Sequence, residues 1–183
     1  MKNIILIAII ILTFFISCRK STLKITEPEP SFFLGKMKGG DYTNGDGKDS
    51  FKVSNGGNNI TIGNGSNTTN YTFESDIMGI GGIYKDANSS NYVGVFPIGG
   101  SMHTVTMGKK EKEAVTKIID VVGKENSLNV IKELSNGNGG KLDTEAITKN
   151  LDDKKKAEVK KIIEDSGLDK NKFGDYKKYE KKT

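Results

Sequence analysis

Between residues 31 and 108 the apolar side chains recur at every second position. Ile60 and Ile62 alternate with polar neighbours, Tyr71 and Phe73 do the same, and Val93, Val95 and Pro97 continue that period. A period of two marks strands with one face turned to a core. The candidate strands are Ser50–Val53, Asn59–Gly63, Asn70–Ser75, Gly81–Lys85, Asn91–Gly99 and Met102–Met107. They are separated by SNGGNN, GNGSNTT and KDANSS, whose Asn, Gly, Asp and Ser residues favour turns. This pattern predicts an antiparallel β-meander of about five or six strands. Pro97 is expected at an edge or a strand end, since it cannot donate to a ladder.

After Gly108 the period becomes helical. Val115, Ile118, Ile119 and Val122 fall at i, i+3, i+4 and i+7, one apolar stripe that stops at Gly123. Ser127 is read as the cap of a second helix carrying Leu128, Ile131 and Leu134. The run NGNGG at 136–140 ends it. Asp143 or Thr144 opens a short turn with Ile147 and Leu151, and Asp152 caps a longer helix that buries Val159, Ile162 and Ile163 and stops at Gly167. The expected fold class is therefore α+β: a β-meander over 31–108 followed by a small set of C-terminal helices over 109–168. Residues 169–183, rich in lysine, are read as a flexible tail.

The chain begins differently. A short positive start, Met1-Lys2-Asn3, leads into an apolar run from Ile4 to Ile16, 13 residues in which only Thr13 is not clearly apolar. A membrane-spanning helix needs about 20. A positive start, a short apolar stretch and small residues at a break describe a secretory signal peptide over 1–17. The break, Phe15-Ile16-Ser17-Cys18, resembles a bacterial lipobox, with cleavage between Ser17 and Cys18 and a diacylglyceryl group on the Cys18 thiol. Full acylation would anchor the chain stably, whereas one acyl chain gives only marginal membrane binding. On this reading Cys18, the sole cysteine, is neither nucleophile nor disulfide partner. Residues 18–30 are then the acylated cysteine and a tether, ending in Glu27-Pro28-Glu29-Pro30, which disfavours helix.

Composition sharpens the boundary near Gly108. Residues 31–108 carry five lysines against six acids, and residues 109–183 carry 19 lysines against 15 acids. The net charge of +5 over 183 residues is too small a bias to point to nucleic acid. Mixed Lys/Glu runs of this kind are chiefly solvated helix faces.

Catalytic or metal chemistry finds little support. His103 is the only histidine, so a zinc site lacks a second imidazole and a Ser-His-Asp arrangement lacks nearby partners. The stretch DYTNGDGKD, Asp41 to Asp49, gathers oxygen-bearing side chains but fails the spacing of a calcium loop and reads as a turn. In Asp169 to Glu180, Asp169, Asn171, Gly174 and Glu180 match positions 1, 3, 6 and 12 of such a loop, yet Phe173 stands where an oxygen ligand is needed. Five N-x-[ST] triplets, at Asn59, Asn64, Asn67, Asn70 and Asn88, reflect turn chemistry. No cofactor, metal or catalytic residue is expected, and the chain is not read as an enzyme.

The signal MKNIILIAIIILTFFISC and the Lys/Asn/Ile bias resemble the surface lipoproteins of Borrelia-type spirochaetes. In YVGVFPIGGSMHTVTMGKKEKEAVTKIID, Tyr92 to Asp120, a Gly-Gly turn leads to a strand and then a charged helix, an order similar to the middle of the OspE-related (Erp) group. That resemblance implies binding of host complement regulators such as factor H, and it transfers no functional residue. The expectation is a lipid-anchored outer-membrane or cell-surface protein, non-enzymatic, bound to the membrane through its acyl anchor and binding host proteins such as complement regulators or matrix components. The alternative is a periplasm-facing structural or assembly lipoprotein.

Overall fold

The computed structural model describes Met37 and residues 39–135, 142–168 and 174–182. The signal, Ser17, Cys18 and the tether lie outside the described residues, as do the NGNGG run and Asp169 and Asn171 of the calcium-like stretch.

Eight strands form a closed barrel in which each pairs antiparallel with the next: β1 (Gly40–Asn44), β2 (Ser50–Ser54), β3 (Asn59–Asn64), β4 (Asn67–Ile77), β5 (Gly81–Asp86), β6 (Tyr92–Ile98), β7 (Ser101–Met107) and β8 (Tyr176–Lys181). Strand β8 lies between β7 and β1, with Met102 opposite Tyr179 and Thr43 opposite Glu180. Between β7 and β8 the described residues form four helices: α1 (Lys109–Val122), α2 (Lys124–Ser135), α3 (Thr144–Thr148) and α4 (Asp153–Ser166).

This corrects the expected class. Six strands fall where the period-two pattern places them, but the sheet is a closed eight-stranded barrel rather than an open meander followed by helices. The two missing strands carry almost no alternation. In β1, GDYTN, only Tyr42 is buried, and in β8, YKKYEK, only Tyr179. Residues 176–181 are thus a paired strand, not part of a flexible tail. Closure removes both sheet edges, which would otherwise expose unpaired amides and carbonyls.

Two apolar clusters share the barrel wall. Met37, Tyr42, Phe51, Val53, Ile60, Tyr84, Val93, Val95, Met102 and Tyr179 fill the interior, as expected for eight strands, whose lumen side chains can occupy completely. Ile77, Ile83, Tyr92, Phe96, Val105 and Met107 point outward and meet the helices. Strand β6, YVGVFPI, is covered on both faces and is apolar nearly throughout. A bulge between Phe73 and Ser75 makes β4 serve both clusters: Phe73 faces inward, while Ile77, beyond the bulge, joins the helix side.

The helices follow their stripes. In α1, Ala114, Val115, Ile118, Ile119 and Val122 are buried and Gly123 ends the helix at φ +75. Each buried Val or Ile stabilises by roughly 1.5–3 kcal/mol, so packing rather than local propensity holds α1. Asp143 caps α3 by accepting from the Glu145 and Ala146 amides, and Asp152 caps α4 through the Lys155 amide at 2.9 Å. The second helix departs from expectation. It starts at Lys124, and Ser127 lies inside it, donating to the Gly123 carbonyl at 2.7 Å.

Where no helix covers the barrel, the outward positions are polar. Asp41, Lys52, Thr61 and Asn70 form one cross-strand row, with a Thr61 hydroxyl bond to Asn70 at 2.8 Å. A membrane-spanning barrel shows the reverse, an apolar outside and a polar lumen. Among the described residues no helix is long and apolar enough to cross a membrane.

Candidate functional site

The strand directions give the barrel two unlike ends. At one end lie the β2–β3, β4–β5 and β6–β7 connections and the start of β1; at the other lie the β1–β2, β3–β4 and β5–β6 loops and Gly174 before β8.

The first end carries an apolar groove of about 360 Å³ between the barrel mouth and α2. Tyr42, Ile80, Pro97, Ile98, Met102, Leu128 and Ile131 are among its lining residues. Among the described residues, the large hydrophobics that remain exposed are Met78 (36%), Ile98 (37%) and Leu128 (49%). Two of them line the groove, and Met78 lies two residues before Ile80. Scattered exposed apolar residues are ordinary; Ile98 and Leu128 differ in lining one groove together. Met78 also holds φ +51, a left-handed conformation that is a true outlier for a bulky residue. The Asp76 carboxylate accepts from the Gly79 amide and fixes this turn.

Leu128, expected on the buried stripe of the second helix, is half-exposed. The buried face of α2 runs Ser127, Val130, Ile131 and Leu134, at i, i+3, i+4 and i+7. A small serine begins the stripe, so Leu128 lies one position round the helix and faces the groove. That spacing is visible in the sequence once Ser127 is allowed as a core residue.

The other end is polar. A shallower pocket of about 340 Å³ is lined by Tyr71, Asn91, Tyr92, Thr106, Glu111 and Gly174, among others. Thr106 is already engaged there: its hydroxyl accepts from the Asp175 amide at 2.8 Å and its own amide donates to the Asp175 carbonyl at 3.1 Å. Lys112 bridges Glu74 at 3.0 Å and lies 4.7 Å above the Tyr92 ring. Lys177 pairs with Asp49 across the β8 and β1–β2 segments.

His103 sits half-buried on the outward face of β7, its Nδ1 2.6 Å from the Tyr176 hydroxyl. Burial and the nearby Lys178 charge lower its pKa, while a hydrogen bond to the Ile98 backbone acts the other way. A neutral ring that accepts from Tyr176 at Nδ1 fits that balance. The pair ties β8 to β7 on the barrel's outward face.

The stretch from Asp41 to Asp49 is strand β1 followed by a turn. Asn44 Oδ1 accepts from the Asp49 amide at 2.9 Å, and Asp46 Oδ1 from the Lys48 amide at 3.0 Å, which lowers the Asp46 pKa. Glu180, the last position of the calcium-like spacing, lies on β8 and pairs with Lys178 at 2.8 Å. Gly174 lies so close to the Thr106 carbonyl that a side chain there would overlap it. Among the described residues, no group of three or more His, Cys, Asp or Glu side chains is placed to hold a metal ion. No family model, curated protein or solved structure matches the chain.

Proposed function

We propose that the chain is a lipid-anchored bacterial envelope protein, held through an acylated Cys18, whose barrel binds host macromolecules and performs no catalysis. The observation that carries this reading is the polarity of the barrel. Met37 is buried in the interior cluster immediately before β1, so the N-terminal chain joins the barrel at its apolar end. Loops rich in Asn, Asp, Gly and Ser stand at the opposite end, between β1 and β2, β3 and β4, and β5 and β6. A tether at one end leaves the other facing away from the membrane, and loops on a rigid scaffold are where recognition concentrates. The lipobox-like FISC break and the spirochaete-type signal add to this reading.

The test is capture of serum and matrix proteins by the chain from Arg19 onward, with protease shaving of intact cells. The reading expects a specific host protein to be captured and the barrel to be released by protease. Capture should weaken when residues 87–90 are replaced by a Gly-Ser segment of equal length. Full protection from protease with no captured protein would point instead to a periplasm-facing structural role.

A further inference from the structure

Among the described residues three Asn-Gly pairs stand in turns of the barrel, Asn44-Gly45, Asn55-Gly56 and Asn64-Gly65, and the fold treats them unequally. We infer that Asn64 is a site of spontaneous backbone modification: its side chain cyclises onto the Gly65 amide, releases ammonia and leaves aspartate or isoaspartate at the tip of the β3–β4 hairpin. The reaction needs a carboxamide free to turn and a following amide nitrogen open to approach. Asn64, Gly65, Ser66 and Asn67 are all exposed, and nothing lies within 4 Å of the place a Gly65 Cβ would take. Neither the Asn64 carboxamide nor the Gly65 amide has a hydrogen-bond partner among the described residues. Gly65, at φ +55, fills the first central position of a two-residue hairpin turn, where glycine is favoured and no side chain shields the nitrogen.

The other two pairs are held. Asn44 is half-buried; its Oδ1 accepts from the Asp49 amide at 2.9 Å and its side chain also bonds Asp46. Its carbonyl accepts from the Gly47 amide at 2.9 Å, and it pairs with Tyr179 of β8. Asn55 is exposed, but its Nδ2 donates to Asn59 Oδ1 at 3.1 Å, and its carbonyl accepts from both the amide and the side chain of Asn58. Turning either residue onto the next nitrogen breaks such bonds, each of which raises the barrier. At Asn64 only the closing rung of the ladder, opposite Asn67, has to open.

The Gly65 nitrogen bonds to Cγ of Asn64 while the Cγ–Nδ2 bond breaks, and Nδ2 leaves as ammonia with the proton that the Gly65 amide gives up. Water then opens the succinimide ring. Breaking the new N–Cγ bond leaves aspartate; breaking the original peptide bond leaves isoaspartate, with Cβ now in the main chain. One water enters, one ammonia departs, and no oxidant or reductant takes part. Either product sets a carboxylate among the loops at the polar end of the barrel, and isoaspartate lengthens β3 there.

Peptide mapping by mass spectrometry follows the exchange of NH2 for OH at each asparagine, and so separates Asn64 from Asn136 and Asn138, which also precede glycine and lie outside the described residues. All eight strands and both apolar clusters fall within residues 37–182, so the chain from Arg19 onward keeps the whole fold. That chain is incubated folded and in urea. In the folded chain Asn64 should convert several-fold faster than Asn44 and Asn55, faster still as pH rises, and to a product that protein isoaspartyl methyltransferase labels. In urea the three rates should converge, because the bonds that hold Asn44 and Asn55 are gone. Asn64→Gln, whose ring closure is far slower, should remove the label from this hairpin. A folded chain in which Asn44 or Asn55 reacts as fast as Asn64, or in which Asn64 stays intact, overturns the proposal. So does the same spread of rates in urea, since the sequence rather than the fold would then select the site.

Discussion

The Tyr176 hydroxyl lies 2.6 Å from Nδ1 of His103, joining β8 to β7 across a sequence interval that contains α1 to α4. A neutral Nδ1 can accept the Tyr176 proton and a protonated Nδ1 can instead donate to the Tyr176 oxygen, so the pH dependence follows from the ring's surroundings rather than from this contact. Burial is the first cause of the lowered His103 pKa, followed by the Lys178 charge. A lowered pKa in the folded state means the unfolded chain binds more protons just below pH 6.5, the ordinary histidine value. Stability must then fall as pH drops through that value towards the folded pKa. With one histidine in the chain, His103→Gln should flatten this part of the pH profile. Denaturant melts at pH 7.5, 6.5 and 5.5 check it; an unchanged slope in the variant would remove His103 as the cause.

Tyr84 and Tyr179 make a contrasting pair inside the barrel. The Tyr84 hydroxyl donates to the Gly57 carbonyl at 2.7 Å, tying β5 to the β2–β3 connection. The Tyr179 hydroxyl is buried without a hydrogen bond of normal geometry, and the nearby Thr104 hydroxyl donates to the Lys177 carbonyl at 3.4 Å instead. Tyr84→Phe should cost about 1–3 kcal/mol by stranding a buried acceptor, whereas Tyr179→Phe should be neutral or stabilising. Chemical denaturation of the two variants gives the comparison, and equal losses would mean that Tyr179 has a partner, such as an enclosed water.

Much of this fold is legible in the sequence, and the gaps have physical causes. Strands β2 to β7 and helices α1, α3 and α4 follow their periodicity because each places several apolar side chains on one face. Strand β8 has one inward apolar residue among lysines, and it exists because β7 and β1 offer it ladders on both sides. That offer is long-range and leaves no local pattern. The groove was hidden for a related reason: Ser127 takes a core position and Leu128 does not, so a count of apolar residues selects the wrong face of α2. Cys18 is legible only as a motif, and no described contact bears on it.

Strand β8 should therefore be essential. Tyr179→Ala empties the position opposite Met102 and beside Phe51, whose ring centroid lies 5.4 Å away. A loss of about 3–5 kcal/mol is expected for removing a buried ring. Ending the chain after Asp175 should be worse, because β1 and β7 then become open edges that pair between molecules. Size-exclusion chromatography and thermal melts would show aggregation and loss of a cooperative transition. A truncated chain that melts like the intact protein would contradict barrel closure.

Gly81 lies under the Phe96 ring, where a methyl group would overlap the ring's edge. Its φ is ordinary, so space alone demands glycine here. Gly81→Ala should destabilise by about 1–3 kcal/mol, the usual range for overpacking. Phe96→Leu in the same chain should recover part of that loss, because the smaller side chain vacates the contested volume. Additive losses in the double-mutant cycle would show that the two positions do not compete.

Met78 is the sharpest conflict between local backbone and residue type. At φ +51 it occupies a left-handed conformation that costs an ordinary residue roughly 1–2 kcal/mol and glycine almost nothing. Glycine gives back about 0.5–1 kcal/mol through its extra freedom in the unfolded chain. Met78→Gly should therefore raise stability by up to about 1 kcal/mol while removing an exposed apolar side chain from the groove's rim. Chemical denaturation of the variant checks this, and an unchanged or lowered stability would show that the left-handed backbone at Met78 carries no strain.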